Sequence, residues 1–254
     1  MLCSRKSSLK TLWQSAPASH KRFQPTQLSN LSVNLPEIAK RYFVHAISAN
    51  TQLASAVRLK MHGEIKLKGW QAFHADQVIC ARKGMIWQAT VRMNGLPIFG
   101  WDQVIEGEGA MQWKLLGLLP IAISSGPDVT RSAVGRMQGE YVWLPSALLD
   151  DTVSWNASGS THAQTHSTLL NETTCLQLEI AGSGRLKTAR FQRWGDPDGS
   201  AHHYENFGVV VEQEDTFSGY TIPSKIRAGW YFGSERFERE GEFFRATIDD
   251  AAYR

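Results

Sequence analysis

"VRLKMHGEIKLK", residues 57–68, alternates almost without error. Val57, Leu59, Met61, Gly63, Ile65 and Leu67 face one way; Arg58, Lys60, His62, Glu64, Lys66 and Lys68 face the other. A period of two belongs to a strand, and one apolar face beside one charged face predicts a long antiparallel strand with a single wet side. Working outward, "FHADQVICAR" (73–82) and "MIWQATVRM" (85–93) read as its next partners. "RMNGLPIFGW" (92–101) centres on Asn94-Gly95, a hairpin signal because both residues tolerate positive φ. "FGWDQVIEGEGAMQWKLLG" (99–117) supplies two more short strands about Gly107 and Gly109.

The β pattern breaks at "GLLPIAISSGPDV" (117–129). Asp128 is placed to cap a helix from near Val129, with Ala133, Met137, Glu140 and Leu144 on one face and Pro145 ending or bending it. The second half returns to strands: "TVSWNAS", "HAQTHSTLL", "CLQLEIA", "GRLKTARFQRW" before the turn "GDPDG", a long strand–turn–strand over 205–232, and "FFRATID". Upstream, "LPEIAKRYFVHAIS" (35–48) predicts a helix with Pro36 at its first position and an apolar stripe of Ile38, Ala39, Tyr42, Phe43, Ala46 and Ile47. The expected fold is mainly β (α+β): a large curved antiparallel sheet, or half-open β-barrel, of about 10–11 strands, with an N-terminal helix and a helical lid inserted mid-chain. A two-sheet sandwich is the alternative. The expected organisation is a flexible basic arm over 1–33 and a single β-rich domain over 34–254, with its helical insertion at 128–149.

Composition bounds the function. The 254 residues are 42% hydrophobic and 20% charged, enough to bury a sizeable core. Residues 1–45 hold seven Lys/Arg against Glu37 alone, while the body has no basic excess, so no nucleic-acid partner is expected. The three cysteines, Cys3, Cys80 and Cys175, are widely spaced and predict neither a disulfide framework nor a zinc site. No apolar run is long enough for a membrane helix. The N-terminus lacks an apolar secretory core and only faintly resembles an organellar transit peptide, so a cytoplasmic or membrane-peripheral protein is expected, with residues 1–33 as the membrane contact.

Nine Trp and eleven Phe suit the walls of an apolar cavity, or a packed core. Trp87, Trp101, Trp113, Tyr141, Trp143, Trp155 and Trp230 are the candidate ligand-binding residues. Arg136 and Glu140, one helical turn apart, form an ion pair that seats the lid, or an acid/base with its positioning cation. Asp102, Glu106 and Glu108 read as a solvent-facing edge rather than paired glycosidase carboxylates. His162 and His166 share a strand face without a third ligand, and His202-His203 reads as solvated, so neither a metal nor a cofactor is expected. No nucleophile elbow, phosphate-binding loop, dinucleotide fingerprint or zincin motif occurs.

The segments "LPEIAKRYFVHAI", "VRLKMHGEIKL…W", "FHADQVICARKGMIWQATV", "EGEGAMQWKLLG", "GRMQGEYVWLPSALL" and "GYTIPSKIRAGW" resemble an uncharacterised bacterial family, a domain of unknown function, over roughly residues 35–245. The most specific stretch is Arg136…Glu140-x-x-Trp143-x-Pro145, followed by Trp155. The element order, and the step from Gly219 to Pro223 in "EDTFSGYTIPSKI", more distantly resemble the half-open β-barrel of bacterial lipoprotein carriers, whose curved sheet and lid form an apolar cup for acyl chains. The sequence departs from those carriers in showing no export signal. This resemblance implies a non-catalytic binding or carrier protein for a lipid or other hydrophobic molecule. The alternatives are an enzyme acting on a hydrophobic small molecule through Glu140, and a membrane-surface or protein interaction module.

Overall fold

The alternation in residues 57–68 becomes β1 (Ala56–Lys66), with Val57, Leu59 and Met61 buried and Arg58, Lys60 and His62 exposed. Leu67 does not continue it. It lies in the turn to β2 and is exposed, because the chain reverses between Lys66 and Trp70. The computed structural model describes residues 5–30 and 35–254, and side chains over 9–28 and 35–254; Cys3 lies outside the described residues. From β1 the chain meanders through β2 (Trp70–Cys80), β3 (Gly84–Met93), β4 (Leu96–Ile105), β5 (Glu108–Leu115) and β6 (Leu119–Ser125). After a helical crossing it meanders back through β7 (Ser154–Ala157), β8 (His162–Leu169), β9 (Glu172–Ile180), β10 (Leu186–Gly195), β11 (His203–Phe217), β12 (Tyr220–Trp230) and β13 (Glu242–Tyr253).

The two meanders are one sheet. Its order is β6-β5-β4-β3-β2-β1-β13-β12-β11-β10-β9-β8-β7. The first and last strands therefore meet in the middle, antiparallel, from Val57 opposite Tyr253 to Ile65 opposite Phe244. The sheet stays open, with β6 and β7 as its edges. This is the curved antiparallel sheet that the alternation predicts, and not two stacked sheets. It has thirteen strands rather than about 10–11. The strand missed by the sequence reading is β6. "LPIAISS" is too uniformly apolar to show alternation, and its hairpin depends on Leu116 and Gly117 both taking positive φ, 53° and 73°.

Helix α3 (Pro127–Gly139) leaves edge β6 and crosses the concave face, packing on β5 on one side and β10 on the other, and residues 140–153 bring the chain on to the far edge β7. Its start differs from expectation. Pro127 takes the first position after Gly126, and Asp128 makes no capping bond; its carboxylate accepts from Trp194 Nε1 at 2.8 Å. Its end differs too, since the α-helix stops at Gly139, well before Pro145. Two 3-10 turns, Glu140–Trp143 and Pro145–Leu149, continue the lid, and Leu144 between them, at φ −132° and ψ 66°, has left the helical region, as the residue before a proline tends to. α2 (Glu37–Ala46) buries Ile38, Ala39, Tyr42, Phe43 and Ala46, with Pro36 just before it rather than inside it.

The stretch expected as a free arm is, where described, packed. α1 (Arg5–Ser15) lays Leu12 on Ala56, Val78, Cys80 and Ile86, the outward-facing side chains of β1–β3. Further along, Phe23 and Leu28 enter the main core. Five dispersed bases hid these few apolar anchors, which suffice because the sheet offers an apolar patch on its convex side.

Tyr220 is fully buried and stacks on Tyr253, ring centroids 4.0 Å apart. Its hydroxyl accepts from the Ala54 N–H and donates to the Gln52 carbonyl, each at 2.8 Å, tying the segment before β1 to the turn before β12. Tyr220→Phe leaves the Ala54 N–H buried and unpaired, so stability should fall by about 1–3 kcal/mol in denaturant titration. An unchanged midpoint would show that the hydroxyl contributes nothing to the tie.

Candidate functional site

Three strands carry a polar residue where the alternation calls for an apolar one. On β2 the inward row is Phe73, Ala75, Gln77, Ile79. On β4 it is Ile98, Gly100, Asp102, Val104. On β10 it is Ala189, Phe191, Arg193. A buried polar group costs free energy unless it is paired, so each exception demands a partner. For two of them the partner comes from the lid. Arg136 Nε donates to Glu140 Oε1 at 2.7 Å and its Nη1 to Asp102 Oδ2 at 3.2 Å. Glu140 Oε2 accepts from Gln77 Nε2 at 2.5 Å. Asp102 is thus turned inward and ion-paired, a correction to its reading as a solvent edge; Glu106 and Glu108 do lie exposed. Asp102 also accepts from Trp113 Nε1 at 3.3 Å.

This polar group forms one wall of a cavity of about 160 Å³ between lid and sheet. The other walls are apolar, chiefly Val142, Trp143, Phe191, Phe207, Ile226 and Phe244. Burial works against the Arg136 charge, but Glu140 and then Asp102 outweigh it and hold its pKa above the ordinary guanidinium value. Arg193 is the opposite case. Burial first, and the nearby Arg136 second, pull its pKa down to about 10, against the pull of Glu140 and Asp102. It remains charged at neutral pH without an ion pair among the described residues, its guanidinium lying 4.7 Å from the Phe207 ring centre and 5.1 Å from that of Trp230. Arg193 Nε and Trp87 Nε1, both on cavity-lining residues, are buried donors without a hydrogen-bond acceptor among the described residues.

The seven aromatic candidates separate. Trp87 and Trp143 line the cavity. Trp113 stands behind Trp87, centroids 5.8 Å apart, and Trp230 flanks Arg193 and Phe207. Trp101 points to the other face of β4. Trp155 packs under α2 against Phe43 and donates to the Leu148 carbonyl. Tyr141 lines a separate shallow cleft beside Arg82 and Asp150, and its hydroxyl accepts from the Arg82 N–H. Sequence reasoning missed Gln77, Arg193 and the phenylalanines. The available signal was a polar residue on the inward row of an otherwise alternating strand. Among the described residues no three of His, Cys, Asp and Glu gather to hold a metal.

The lid is held from both halves of the sheet. Thr130 Oγ1 accepts from the Gly109 N–H of β5, where the helix backbone comes so near that a Cβ would stand 2.4 Å from Thr130 Cα. Gln138, buried, donates to Thr174 and the Glu172 carbonyl on β9 and accepts from Ser167 on β8. Trp143 Nε1 donates to the Pro223 carbonyl of β12, and the Trp143 carbonyl accepts from Tyr253 of β13.

A family of unknown function, DUF6920, matches residues 33–253. No curated protein matches the chain. Three solved structures are similar in fold. One is a domain from Vibrio parahaemolyticus assigned to outer membrane lipoprotein sorting, 9% identical, covering 86% of this chain and 91% of that one, with a TM-score of 0.43. The second is a LolA superfamily protein from Nitrosomonas europaea, 10% identical over 85% and 92%, TM-score 0.42. The third is a DUF1329 family protein from Desulfovibrio piger, 13% identical over 85% and 90%, TM-score 0.38. The first two are of the kind that the lipoprotein-carrier resemblance named. The expectation of a cytoplasmic protein is withdrawn as a correction, since the first of these neighbours is described as an outer membrane lipoprotein-sorting protein domain and the second as a LolA superfamily protein. No helix among the described residues is long and apolar enough to cross a membrane.

Glu140→Gln removes one charge from the Arg136 fork and leaves a half-buried guanidinium with Asp102 alone. The expected loss is about 2 kcal/mol by denaturant unfolding, carried by the lid-to-sheet contact. A variant as stable as the parent would mean that the pair does not seat the lid.

Proposed function

This chain belongs to the DUF6920 family of unknown function, and we propose that it is a non-catalytic binding or carrier protein for an amphiphile with a hydrocarbon tail and an acceptor-bearing head. The observation that carries this reading is the lining of the cavity: aromatic and aliphatic walls, with two buried donors, Arg193 Nε and Trp87 Nε1, at hand without acceptors among the described residues. Apolar walls with a few placed polar groups are how small-molecule sites obtain affinity and orientation. A carboxylate or phosphate oxygen is the acceptor that suits a guanidinium best.

Volume limits the cargo. A cavity of roughly 150 Å³ holds one benzene-sized molecule, and the 160 Å³ here is of that order. To enclose a complete acyl chain the lid must therefore move away from β10–β12; otherwise part of the chain stays outside this partly open site. Both carboxylate oxygens of Glu140 already accept hydrogen bonds, from Arg136 and Gln77, which favours a structural part for it over acid/base work.

Native mass spectrometry of the purified protein, with organic extraction of what accompanies it, tests the reading. A reproducible single-chain amphiphile is the expected outcome. Ala189→Leu projects a larger side chain into the cavity and should cut uptake of added fatty acid at least ~10-fold, with stability lowered by no more than the roughly 1–3 kcal/mol of a small-to-large change. Uptake that survives the filled cavity would overturn the assignment of the site. Arg193→Met separates stability from binding. Removing a desolvated, unpaired cation should raise stability by roughly 1 kcal/mol while weakening fatty-acid uptake. A destabilised variant with undiminished uptake would show that Arg193 does not meet the head.

A further inference from the structure

Ten large apolar side chains are exposed among the described residues, and Val44, Leu67, Leu170 and Tyr204 lie apart from the rest. The other six, Leu96, Leu116, Leu118, Leu119, Ile121 and Ile123, lie on β6 and the two hairpin turns next to it. Leu118, at the tip of the β5–β6 turn, is 83% exposed, and Ile123 is 64% exposed. The β3–β4 and β5–β6 turns open at the same end of the sheet, since Ile98 pairs with Leu115 and Met93 with Leu96. Isolated exposed leucines need no explanation, but a contiguous apolar corner marks a contact surface.

Charge identifies the partner. Residues 77–101 and 109–127 contain no Asp or Glu. Arg92 and Lys114 lie on the strands leading into these turns, and Lys66 and Lys68 flank the β1–β2 turn at the same end. None of the four makes an ion pair among the described residues. The acid nearest in sequence to Lys66, Glu64, is already engaged with Arg245 at 3.8 Å. Apolar tips ringed by unpaired bases match the interfacial layer of an anionic bilayer, where leucines enter the acyl boundary and ammonium and guanidinium groups meet phosphates.

The edge itself argues against a protein strand as occupant. Pro120 lies within β6, and the register slips between Trp113 and Lys114. Proline and bulges are the means by which sheet edges resist strand addition. The open ladder of β6 also sets the depth, because backbone groups without partners cannot enter hydrocarbon.

We propose that the corner formed by β6 and the β3–β4 and β5–β6 turns docks shallowly on anionic phospholipid membranes. This stands apart from the cavity reading, because the vesicle is itself the probe. The full chain is floated with vesicles of phosphatidylglycerol and phosphatidylcholine, and with phosphatidylcholine alone. Binding to the anionic vesicles that weakens with added salt is expected. Leu116→Ser with Leu118→Ser should lower the partition coefficient about tenfold, as should Arg92→Glu with Lys68→Glu, without a change in melting temperature, since these side chains are exposed. Ala189→Leu should bind vesicles like the parent, which separates docking from lipid uptake into the cavity. The proposal is overturned by absence of binding, by binding indifferent to the Leu116/Leu118 pair, or by a concentration-dependent dimer lost in that same double variant, which would assign the corner to a second copy of this chain.

Discussion

The pairing of β1 with β13 is the contact on which the remaining architecture depends. Each meander could form from neighbouring hairpins alone, but neither would be half of a cup without this one ladder. It brings together residues nearly two hundred positions apart, from Ala252 opposite Arg58 to Phe244 opposite Ile65. Closing so long a loop costs entropy that only a well-matched interface offsets. The match comes from the same alternation that identified β1: Leu59 meets Ala251 and Met61 meets Ile248 on the core side. Tyr220 stacked on Tyr253, with its hydroxyl bridging Gln52 and Ala54, locks the seam from one end.

Most of this could be read from the residues, for a physical reason. A strand with one wet face writes its orientation into every second position, so β1, β2, β3 and the Asn94-Gly95 reversal were visible. So was α2, whose apolar stripe is the buried one. The same rule reveals the polar wall of the cavity, since Gln77, Asp102 and Arg193 are departures from it. What the rule cannot supply is convergence. That Asp102 meets Arg136, or that Arg193 is left with ring faces instead of a carboxylate, depends on how far the sheet curls.

The misreadings have physical causes as well. β6 was hidden because a strand with few neighbours to hide it still carries an apolar run, which reads as a break when alternation is the only guide. The N-terminal stretch reads as a free arm because five bases outnumber its anchors, yet Leu12 and Phe23 are buried. The lid was expected as one helix to Pro145, but Gly139 ends it early, where any Cβ would strike Phe191. That early stop frees Tyr141, Val142 and Trp143 to turn separately, so that Trp143 enters the cavity while Tyr141 faces the opposite cleft.

The crossing helix also has a mechanical consequence. It runs as a chord across the open sheet from β5, where Thr130 is held, to β8 and β9, where Gln138 is held, as a bowstring spans a bow. Its thirteen residues span about 20 Å at 1.5 Å each. The sheet therefore cannot flatten freely while the helix stays folded, because β5 and the β8–β9 pair are held at a set distance. Admission of a larger guest must come from rotation or lifting of the string about its two fixed ends, or from unwinding one turn of it. Capacity is then governed by the length of a segment that need not touch the guest at all.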